Sequence, residues 1–409
     1  MTLWQGRHNR RMATQQLLIV GGGIGGLAAA RAVAGAGWDV RLYERAPAFS
    51  EVGAGVQLGP NVTRILRGWG LEDELAAVAA FPARLRVRSA LNGADLGVLP
   101  LGAQALERYG APYVTVHRAD LHGLLQRAAS RLPNVQLNLG HELADFTDHG
   151  RVVTLSTVGG HPVEGDALLG ADGVWSRVRH QLLDDGPPHA TGHLAYRTML
   201  RQSALPQALR TLDVTAWLGP RLHVVQYPVR GGDWMNLVAI VQGDPPARPQ
   251  DWDHQANAAD LQRAMGTTCA ALQALIAAVP EATVNAHAWR LWALADRPPV
   301  TSPGQMGRGL VALLGDAAHP MRPYLAQGAG MAIEDAAELA RSLAMDAVDV
   351  PTRLKRYALT RWQRVARVQA RSIRNGQIFH STGLVRFGRD ASIRLLGQRI
   401  LDVPWLYAG

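Results

Sequence analysis

The feature that most constrains the fold is a glycine-rich turn between an apolar run and a helical pattern near the N-terminus. The run "QLLIV" is typical of a buried parallel strand. "GGGIGG" follows it directly, and "LAAARAVAGAG" then has the composition of a helix. A second apolar run, "DVRLYE", ends in Glu44. Strand, glycine turn, helix, strand and acid in this order predict a dinucleotide-binding unit in an α/β fold.

Each glycine of the turn has a separate role in such a unit. Gly21 forms the tight turn, Gly23 lets the backbone approach a pyrophosphate, and Gly26 lets the helix pack closely on the strand. The phosphates then lie at the helix N-terminus, where unpaired N–H groups and the helix dipole favour negative charge. Glu44 is expected to accept hydrogen bonds from the adenosine ribose, with Arg45 beside it as a further cofactor-binding candidate. The unit alone does not distinguish FAD from NAD.

Two later stretches repeat the junction of an apolar strand with a glycine and an acid. "ALLGADGVWSRVR" contains Asp172, and "GLVALLGDAAHP" contains Asp316. An acid after a strand is often only a helix cap, and this alternative stays open for Asp172. Three such junctions in one chain nevertheless favour a shared nucleotide ligand. Because the chain has no second GxGxxG unit, any second nucleotide is expected to bind transiently without a domain of its own.

The glycine loop, "ADGVWSRVR" and "GDAAHPMRPYLAQGAGMAIEDA" resemble the three motifs of the single-component (group A) FAD-dependent aromatic hydroxylases, over roughly residues 15 to 380. That family includes salicylate, hydroxybenzoate and hydroxynicotinate hydroxylases. The resemblance implies the p-hydroxybenzoate hydroxylase fold: a Rossmann-like FAD domain of the glutathione-reductase type, an inserted and mostly antiparallel substrate domain, and a C-terminal helical region. It also implies tightly bound FAD, transient NADH or NADPH, and hydroxylation of a phenolic aromatic acid with O2 through a flavin hydroperoxide.

The domain boundaries follow from placing these motifs along the chain. Between residues 190 and 293, alternating runs with turn signals predict an antiparallel sheet, with a helical stretch near 258–279 before its last strand. The predicted segments are FAD-binding parts at 15–82, 106–188 and 294–350, substrate-domain segments at 83–105 and 189–293, and C-terminal helices at 351–409.

The resemblance also assigns cofactor-binding roles to individual residues. Arg118 in "VHRADLHGLL" matches an arginine that contacts FAD, and Asp172 belongs to the motif that serves both FAD and the pyridine nucleotide. Asp316 matches the aspartate that bonds the ribityl hydroxyls. The segment from Gly328 to Gly330 is expected to present backbone N–H groups to the flavin's pyrimidine edge, where they stabilise negative charge on the reduced ring.

The catalytic candidates His223 and Tyr227 lie on "LHVVQYPVRG". Strand alternation places both on one face with Val225. They match a His-x-x-x-Tyr pair that lines the active site of hydroxybenzoate and hydroxynicotinate hydroxylases. A phenol must lose its proton, or nearly so, before its ring attacks oxygen, and neutral histidine suits that task near pH 7. Tyr227 would hydrogen-bond a carboxylate or the phenolic oxygen. The alternative is a sheet-face histidine satisfied by a neighbour.

Two departures from the family pattern bear on the substrate. Gln57 stands where the hydroxynicotinate subtype has histidine, and Pro323 stands where the 3-hydroxybenzoate 6-hydroxylase subtype tends to have glutamine. With Val225 they form the candidate substrate pocket. A salicylate-like or other hydroxylated aromatic acid is therefore the expected substrate.

Three further polar residues near these motifs are ambiguous. His319 follows Asp316 closely and is expected to orient the loop rather than to act directly. Arg197 and Arg322 could each bind a carboxylate or be solvated, so neither is assigned to catalysis.

Composition narrows the possible partners and setting. The net charge is +9 and Lys355 is the sole lysine, but the arginines are scattered without interleaved aromatics, so nucleic-acid binding is not expected. Cys269 is the only cysteine, which excludes an internal disulfide and a cysteine-based metal site and suits a reducing cytoplasm. No metal site is predicted. The sequence contains no stretch of about 18 consecutive apolar residues, so no membrane-spanning helix is expected.

The two ends of the chain are the least informative parts. "MTLWQGRHNRRMATQQ" lacks the apolar core of a signal peptide and is interpreted as a disordered leader or a remnant of expression. From Pro351 a long amphipathic helix is predicted, and residues 381–409 predict a short amphipathic helix with an apolar tail. That tail could support dimerisation or surface attachment, so a monomer and a homodimer both stay open.

Two other functions compete with aromatic hydroxylation. An alkene epoxidase or a flavin dehydrogenase could use the same scaffold without phenol deprotonation. A non-catalytic flavin-binding module would bind FAD without reduction by either nicotinamide nucleotide.

Overall fold

The computed structural model describes residues 14–49, 54–246, 248, 250, 254–279 and 289–408. The proposed N-terminal leader lies almost wholly outside these residues. The helices are α1 (Ile24–Gly35), α2 (Pro60–Gly68), α3 (Glu72–Ala76), α4 (Gly102–Tyr109), α5 (Arg118–Ser130), α6 (Arg177–Leu183), α7 (Ala258–Met265), α8 (Ala270–Ala277), α9 (Gly328–Leu343), α10 (Val350–Phe379), α11 (Gly383–Leu396), α12 (Gln398–Leu401) and α13 (Pro404–Tyr407).

The strands form four sheets. In chain order they are β1 (Gln16–Val20), β2 (Asp39–Glu44), β3 (Gly55–Leu58), β4 (Ala79–Ala80), β5 (Arg84–Ser89), β6 (Asp95–Pro100), β7 (Val114–His117), β8 (Val135–Leu139), β9 (Leu143–Asp148), β10 (Val153–Thr157), β11 (Val163–Gly165), β12 (Ala167–Gly170), β13 (His189–Arg201), β14 (Val214–Gly219), β15 (Leu222–Val229), β16 (Trp234–Gln242), β17 (His254–Ala256), β18 (Trp289–Asp296), β19 (Gly307–Arg308) and β20 (Val311–Leu313).

A parallel sheet built around β1 forms the nucleotide-binding half. Its order is β19-β20-β12-β1-β2-β8, and only β19 runs antiparallel to its neighbour. Leu17, Leu18 and Ile19 are fully buried, which explains why β1 reads as a continuous apolar run. The helices α1 and α9 pack against each other in the same hydrophobic core. The three strand–glycine–acid junctions therefore end at one edge of a single sheet.

A larger sheet forms the second half, with the order β17-β18-β13-β16-β15-β14-β5-β6. All neighbours in it are antiparallel except β14 and β5. Its strands come from two separate parts of the chain, as the segment boundaries anticipate, although the boundaries themselves stay a prediction.

The helical stretch expected near 258–279 is two helices rather than one. Gly266, with φ of 62°, ends α7, and Cys269 is the N-cap of α8. Both helices pack through buried side chains such as Leu261 and Leu275 on the core that includes Trp289. Cys269 is partly buried beside this core.

The long predicted C-terminal helix is α10, which packs against α9. Its buried face includes Leu354, Tyr357, Val365 and Val368. Beyond it, α11 leaves several apolar side chains exposed, among them Leu384. No helix in the described part of the chain has both the length and the apolar character needed to cross a bilayer.

Candidate active site

A cavity lies between the edge of the parallel sheet and one face of the eight-stranded sheet. It has a volume of about 360 Å³, within the range of about 300–1,000 Å³ typical of ligand pockets. Residues from distant parts of the chain line it, including Gly23, Arg118, His223, Tyr227, Asp316 and Gly328. Half of the cofactor-binding and catalytic candidates from the sequence therefore line one cavity.

The glycine loop forms one end of this cavity. Gly21 has φ of 106°, and a Cβ there would collide with the carbonyl of Ala171. A Cβ at Gly26 would collide with the carbonyl oxygen of Gly21, so α1 can approach the turn only with glycine at this position. Gly23 is the N-cap of α1 and offers no side chain, which leaves the first N–H groups of the helix directed at the cavity.

Two side chains hold this loop in shape. The carboxylate of Glu44 accepts hydrogen bonds from the backbone N–H of Gly22 (2.6 Å) and of Ala46 (2.8 Å). His122 of α5 donates from Nε2 to the carbonyl oxygen of Gly22 (2.8 Å). Glu44 thus fixes the loop with one lone pair of each oxygen, and its remaining lone pairs are available for ribose hydroxyls.

Asp316 also lines the cavity, in a turn after β20 that lies beside the glycine loop, since a Cβ at Gly25 would meet the Leu314 side chain. Its partly buried carboxylate lines the cavity, and no hydrogen bond joins it to another described residue. Burial raises the pKa of Asp316 above its ordinary value, while His319 and Arg118 act in the opposite direction. A carboxylate in this setting is a strong acceptor for ligand hydroxyl groups.

The N-terminus of α9 faces the same cavity. Gly328 and Ala329 line the cavity, and the first N–H groups of a helix have no partner within it. Gly330 does not itself line the cavity, and a Cβ there would press on Gln327 and Val62; contact of its backbone N–H with the flavin stays a prediction. Two helix N-termini, those of α1 and α9, therefore offer N–H groups and partial positive charge to one elongated ligand.

Three residues that the sequence suggested for the site, Asp172, Arg45 and His319, do not line the cavity. Asp172 accepts hydrogen bonds from Ser176 Oγ (2.6 Å) and from the backbone N–H groups of Arg177 (2.8 Å) and Val178 (3.2 Å). It therefore caps α6, while its neighbours Ala171 and Gly173 line the cavity. Direct contact of Asp172 with a nucleotide stays a prediction.

Arg45 and His319 also differ from cavity-lining residues. Arg45 is exposed beside Glu44 and does not line the cavity. His319 is buried and its Nε2 donates a hydrogen bond to Oδ2 of Asp335 (2.6 Å). Asp335 also accepts from the backbone N–H of Gly315 (3.1 Å), so His319 holds the turn that carries Asp316.

The strand β15 supplies the wall opposite the nucleotide-binding half. His223, Val225 and Tyr227 all line the cavity from one face of this strand. Burial lowers the pKa of His223 well below its ordinary value, and the neighbouring His380 and His193 lower it further. His223 is therefore neutral near pH 7. Burial raises the pKa of the Tyr227 hydroxyl, so it remains a protonated hydrogen-bond donor.

Gln57 and Pro323 reach the cavity from its two sides. Gln57 of β3 accepts a hydrogen bond from the hydroxyl of Tyr113 (2.6 Å). Pro323 begins the short 3₁₀ turn that follows Arg322. Gly55, two residues before Gln57 on β3, has no room for a Cβ because the Tyr227 ring packs against it.

The eight-stranded sheet contributes the cation Arg197 of β13 to the cavity lining, in addition to Arg118 of α5. The Arg197 guanidinium lies 3.5 Å from the centroid of the Trp292 ring and lines the cavity with it. Arg322, the other candidate, is engaged by Asp296 (Nε to Oδ2, 2.7 Å). Sequence reasoning left Arg197 unassigned because strand alternation shows which residues share a face but not which strand faces a ligand.

The chain was compared with known proteins. The family described as "FAD binding domain" matches residues 14–372. The chain is 35% identical over 395 residues to the 3-hydroxybenzoate 6-hydroxylase of Polaromonas naphthalenivorans (strain CJ2), covering 96% of this chain and 95% of that protein. This chain belongs to the family of FAD-dependent aromatic hydroxylases.

A further relative and two solved structures support the same family. The chain is 38% identical over 364 residues to the 6-hydroxynicotinate 3-monooxygenase of Bordetella bronchiseptica (strain ATCC BAA-588 / NCTC 13252 / RB50), covering 87% of this chain and 89% of that protein. Among solved structures, a salicylate hydroxylase substrate complex superposes with a TM-score of 0.80 at 26% identity, over 97% of this chain and 96% of that one. Klebsiella pneumoniae HpxO, complexed with FAD and uric acid, gives 0.82 at 25% identity over 96% of both chains.

These similarities confirm the predicted fold class and the expectation of an enzyme. The FAD-dependent hydroxylase is a flavoprotein monooxygenase, with FAD as its cofactor and NADH or NADPH as the reductant typical of such monooxygenases. A non-catalytic flavin-binding module is thereby set aside. The cavity fits FAD: the α1 end suits a pyrophosphate, and Asp316 with the α9 N-terminus suits a polyol chain and an electron-rich ring edge.

Proposed function

We propose that this FAD-dependent hydroxylase acts on a phenolic aromatic acid, salicylate-like or hydroxybenzoate-like, with NADH or NADPH and O2. The observation that carries the proposal is the pairing of a neutral histidine, His223, with a cation, Arg197, in one cavity wall. Relatives named for hydroxybenzoates and 6-hydroxynicotinate support the substrate class.

His223 is proposed as the base that takes the phenolic proton. The O–H bond of the substrate breaks, an N–H bond forms on the imidazole, and the electron pair stays on the phenolic oxygen. That oxygen then pushes electron density into the ring, which makes the ring carbon more nucleophilic. Because His223 is neutral at physiological pH, it can accept the proton without first losing one.

Arg197 and Tyr227 are proposed to hold the substrate. Trp292 covers one face of the Arg197 guanidinium, and the edge of such a group can still donate two parallel hydrogen bonds to a carboxylate. Tyr227 donates from its protonated hydroxyl to the carboxylate or to the phenolic oxygen. Holding both the carboxylate and the phenolic oxygen of the substrate fixes which ring carbon faces the oxygen donor.

FAD, when bound, would supply the redox chemistry of the reaction, with the nicotinamide nucleotide as reductant and O2 as oxidant. The protein's part is to exclude water around that chemistry. The β15 and β16 side chains Val225, Val238 and Ile240 give the cavity an apolar lining. An apolar, closed pocket keeps the activated oxygen from being lost to water.

Gln57 and Pro323 differ from the residues of the hydroxynicotinate and 3-hydroxybenzoate 6-hydroxylase subtypes at these positions. A salicylate-like or related hydroxylated acid is therefore the proposed substrate.

We propose that the enzyme works in the cytoplasm. A single cysteine, Cys269, suits the cytoplasm. The proposed assembly is a monomer or a homodimer, with no nucleic-acid partner.

The decisive experiment screens hydroxylated benzoates and pyridine carboxylates for stimulated NADH and NADPH oxidation, with identification of the product. A hydroxylated product formed in step with nucleotide consumption supports the proposal. Stimulated oxidation in which all oxygen appears as hydrogen peroxide contradicts it for those compounds.

Two variants separate the proposed roles. His223→Gln should retain FAD and lose about 100-fold or more in kcat on phenols. Arg197→Met should raise KM for the acid much more than for the matching phenol without a carboxylate. An unchanged turnover by His223→Gln would favour an epoxidase or dehydrogenase, which needs no phenol deprotonation.

A further inference from the structure

Behind His223 lies a buried group of rings that the proposed reaction does not use directly. Nδ1 of His223 is 2.8 Å from Nε2 of His380, the residue that ends α10. His193 of β13 and Tyr324 complete the group, and the Tyr324 hydroxyl is 2.5 Å from Nδ1 of His193. We name these four residues the histidine cluster. All four are less than a tenth exposed.

The backbone of His380 is fixed from several sides. Its N–H donates to the carbonyl of Gly376, and its carbonyl accepts from the N–H of Arg221 (3.0 Å). Arg389 of α11 donates to the carbonyl of the preceding residue, Phe379 (2.6 Å). The junction of α10 and α11 thus places the His380 ring at a defined point behind β15.

The two ring nitrogens of His223 face different surroundings. Nδ1 meets His380, whereas Nε2 has no hydrogen bond to any residue in the described ranges, and the ring lines the cavity. Between two neutral imidazoles, only one of the facing nitrogens carries the hydrogen. If Nδ1 of His223 donates, its Nε2 has a free lone pair and can accept a proton. If Nε2 of His380 donates, Nε2 of His223 carries a hydrogen and cannot act as a base.

We propose that His380 is a positioning residue that accepts the Nδ1–H of His223 and so leaves Nε2 of His223 as the proton acceptor in the cavity. This inference rests on the proposed function, in which His223 takes the phenolic proton. When Nε2 gains that proton, the resulting imidazolium keeps its Nδ1–H bonded to His380. The logic is that of a base oriented and stabilised by a third group.

Several charged and titratable groups face His380. They are His193 on β13 and His223 on β15, with Arg389 on α11, Arg322 before the 3₁₀ turn and the Tyr324 hydroxyl. Burial lowers the pKa of His380 to about 3, and the nearby His193, Arg389 and Arg322 act in the same direction. A protonated His380 would present a hydrogen on Nε2, so its neutrality preserves the acceptor that His223 needs.

The test compares two substitutions at the same position in the FAD-loaded enzyme. In His380→Gln the side-chain oxygen replaces Nε2 as an acceptor but cannot take a proton. In His380→Leu no acceptor remains. His189→Gln, on an exposed position of the same strand as His193, serves as the matched control.

The expected kinetic result is that His380→Gln keeps kcat within about tenfold of wild type, while His380→Leu loses about 100-fold or more. KM and FAD content should change little. A wild-type kcat in His380→Leu overturns the proposal. Equal, large losses in both variants also overturn it, because His380 would then carry the proton itself.

A second measurement does not depend on turnover. Nitrogen-15 NMR of histidine-labelled holoenzyme, with His223 assigned from the His223→Gln spectrum, should show the Nδ1–H tautomer in wild type and in His380→Gln. The Nε2–H tautomer in wild type overturns the proposal even if no His380 variant folds. If His223→Gln hydroxylates phenols normally, the proposed function fails, while the tautomer still decides the role of His380.

Discussion

Asp316 is a side chain whose surroundings favour a ligand over a protein partner. It lies in the cavity with no hydrogen bond to another described residue, and burial raises its pKa. A buried carboxylate without donors is costly, and ligand hydroxyl groups would relieve that cost. The sequence motif alone could identify this residue because its strand, glycine and acid are contiguous.

The first prediction concerns Asp316→Asn. The amide accepts hydrogen bonds without charge, so the variant should bind FAD more weakly by about 1–3 kcal/mol. Fluorescence titration of the apoenzyme measures the affinity, with exposed Asp145→Asn as control. Equal FAD affinity in Asp316→Asn and wild type would remove Asp316 from the cofactor site.

The second prediction concerns the three histidines of the histidine cluster. Burial lowers the pKa of His193 and of His223, and lowers that of His380 to about 3. The unfolded chain therefore binds more protons than the folded one below the ordinary pKa of about 6.5. Their contribution to stability is complete above that pH and declines as the pH falls below it, by up to about 1.4 kcal/mol per pH unit for each histidine.

Urea denaturation between pH 6.5 and pH 5 measures this decline. His380→Gln removes one of the titrating groups, so its free energy of unfolding should fall less steeply with decreasing pH than that of wild type. The exposed-site variant His189→Gln should keep the wild-type slope. Identical slopes in all three proteins would show that His380 is not kept neutral by the fold.

At the scale of elements, α9 and α10 are joined by a buried ion-pair network. Arg361 of α10 contacts Asp335 (Nε to Oδ1, 2.7 Å) and Glu334 (Nη1 to Oε2, 2.8 Å) on α9. Arg364 also pairs with Glu334 (2.6 Å). Since Asp335 in turn bonds His319, the network links the long C-terminal helix to the turn that carries Asp316.

The third prediction is that Arg361→Met destabilises the enzyme by about 3–5 kcal/mol. Removing Arg361 leaves the buried Asp335 without its guanidinium partner, while Glu334 keeps Arg364, and removing one partner of a buried ion pair costs more than removing one partner of an exposed pair. Urea denaturation measures it, with exposed Arg356→Met on the same helix as the control. A loss no greater than that of the control would mean that the network is solvated.

The sequence predicted elements best where their signals were local. The glycine turn, β2 with Glu44 and the long α10 all follow from contiguous patterns of apolar and small residues. The helical stretch expected near 258–279 is present, but its division into two helices at Gly266 was not predicted. Asp172 shows the limit of motif reasoning, since the contacts of its carboxylate within the described chain are those of a helix cap.

At the scale of the whole molecule, the cavity depends on pairs that no local pattern reveals. His380 follows His223 by more than 150 positions, and Arg197 meets Trp292 only because β13 and β18 are neighbours. Such contacts follow from the order of strands in the large sheet. The sequence could therefore predict the fold class and the nucleotide-binding ends, but neither the histidine cluster nor the position of Arg197 in the cavity.

The same geometry implies that one ligand joins distant parts of the chain. Gly23 and the α1 N-terminus line the same cavity as Asp316 and Gly328. FAD has a ribityl chain and a ring system that ADP lacks, and Asp316 and Gly328 are predicted to contact those additional parts. A ligand bound only to the folded state stabilises it by about 2.7 kcal/mol at 100 times its Kd, so removal of FAD should lower the thermal midpoint of the whole enzyme.

The last prediction tests whether Asp316 contacts only the part of FAD that ADP lacks. It compares the two ligands in the wild-type and Asp316→Asn apoenzymes. At equal concentration FAD should raise the thermal midpoint of the apoenzyme more than ADP does, because it makes additional contacts with Asp316. Asp316→Asn should reduce the FAD-induced shift and leave the ADP-induced shift unchanged. If the ADP-induced shift falls equally, Asp316 acts through the general stability of the nucleotide-binding half rather than on the ligand. An unequal response is expected because the α1 N-terminus, held by Glu44 and His122, is built without any contribution from the Asp316 side chain.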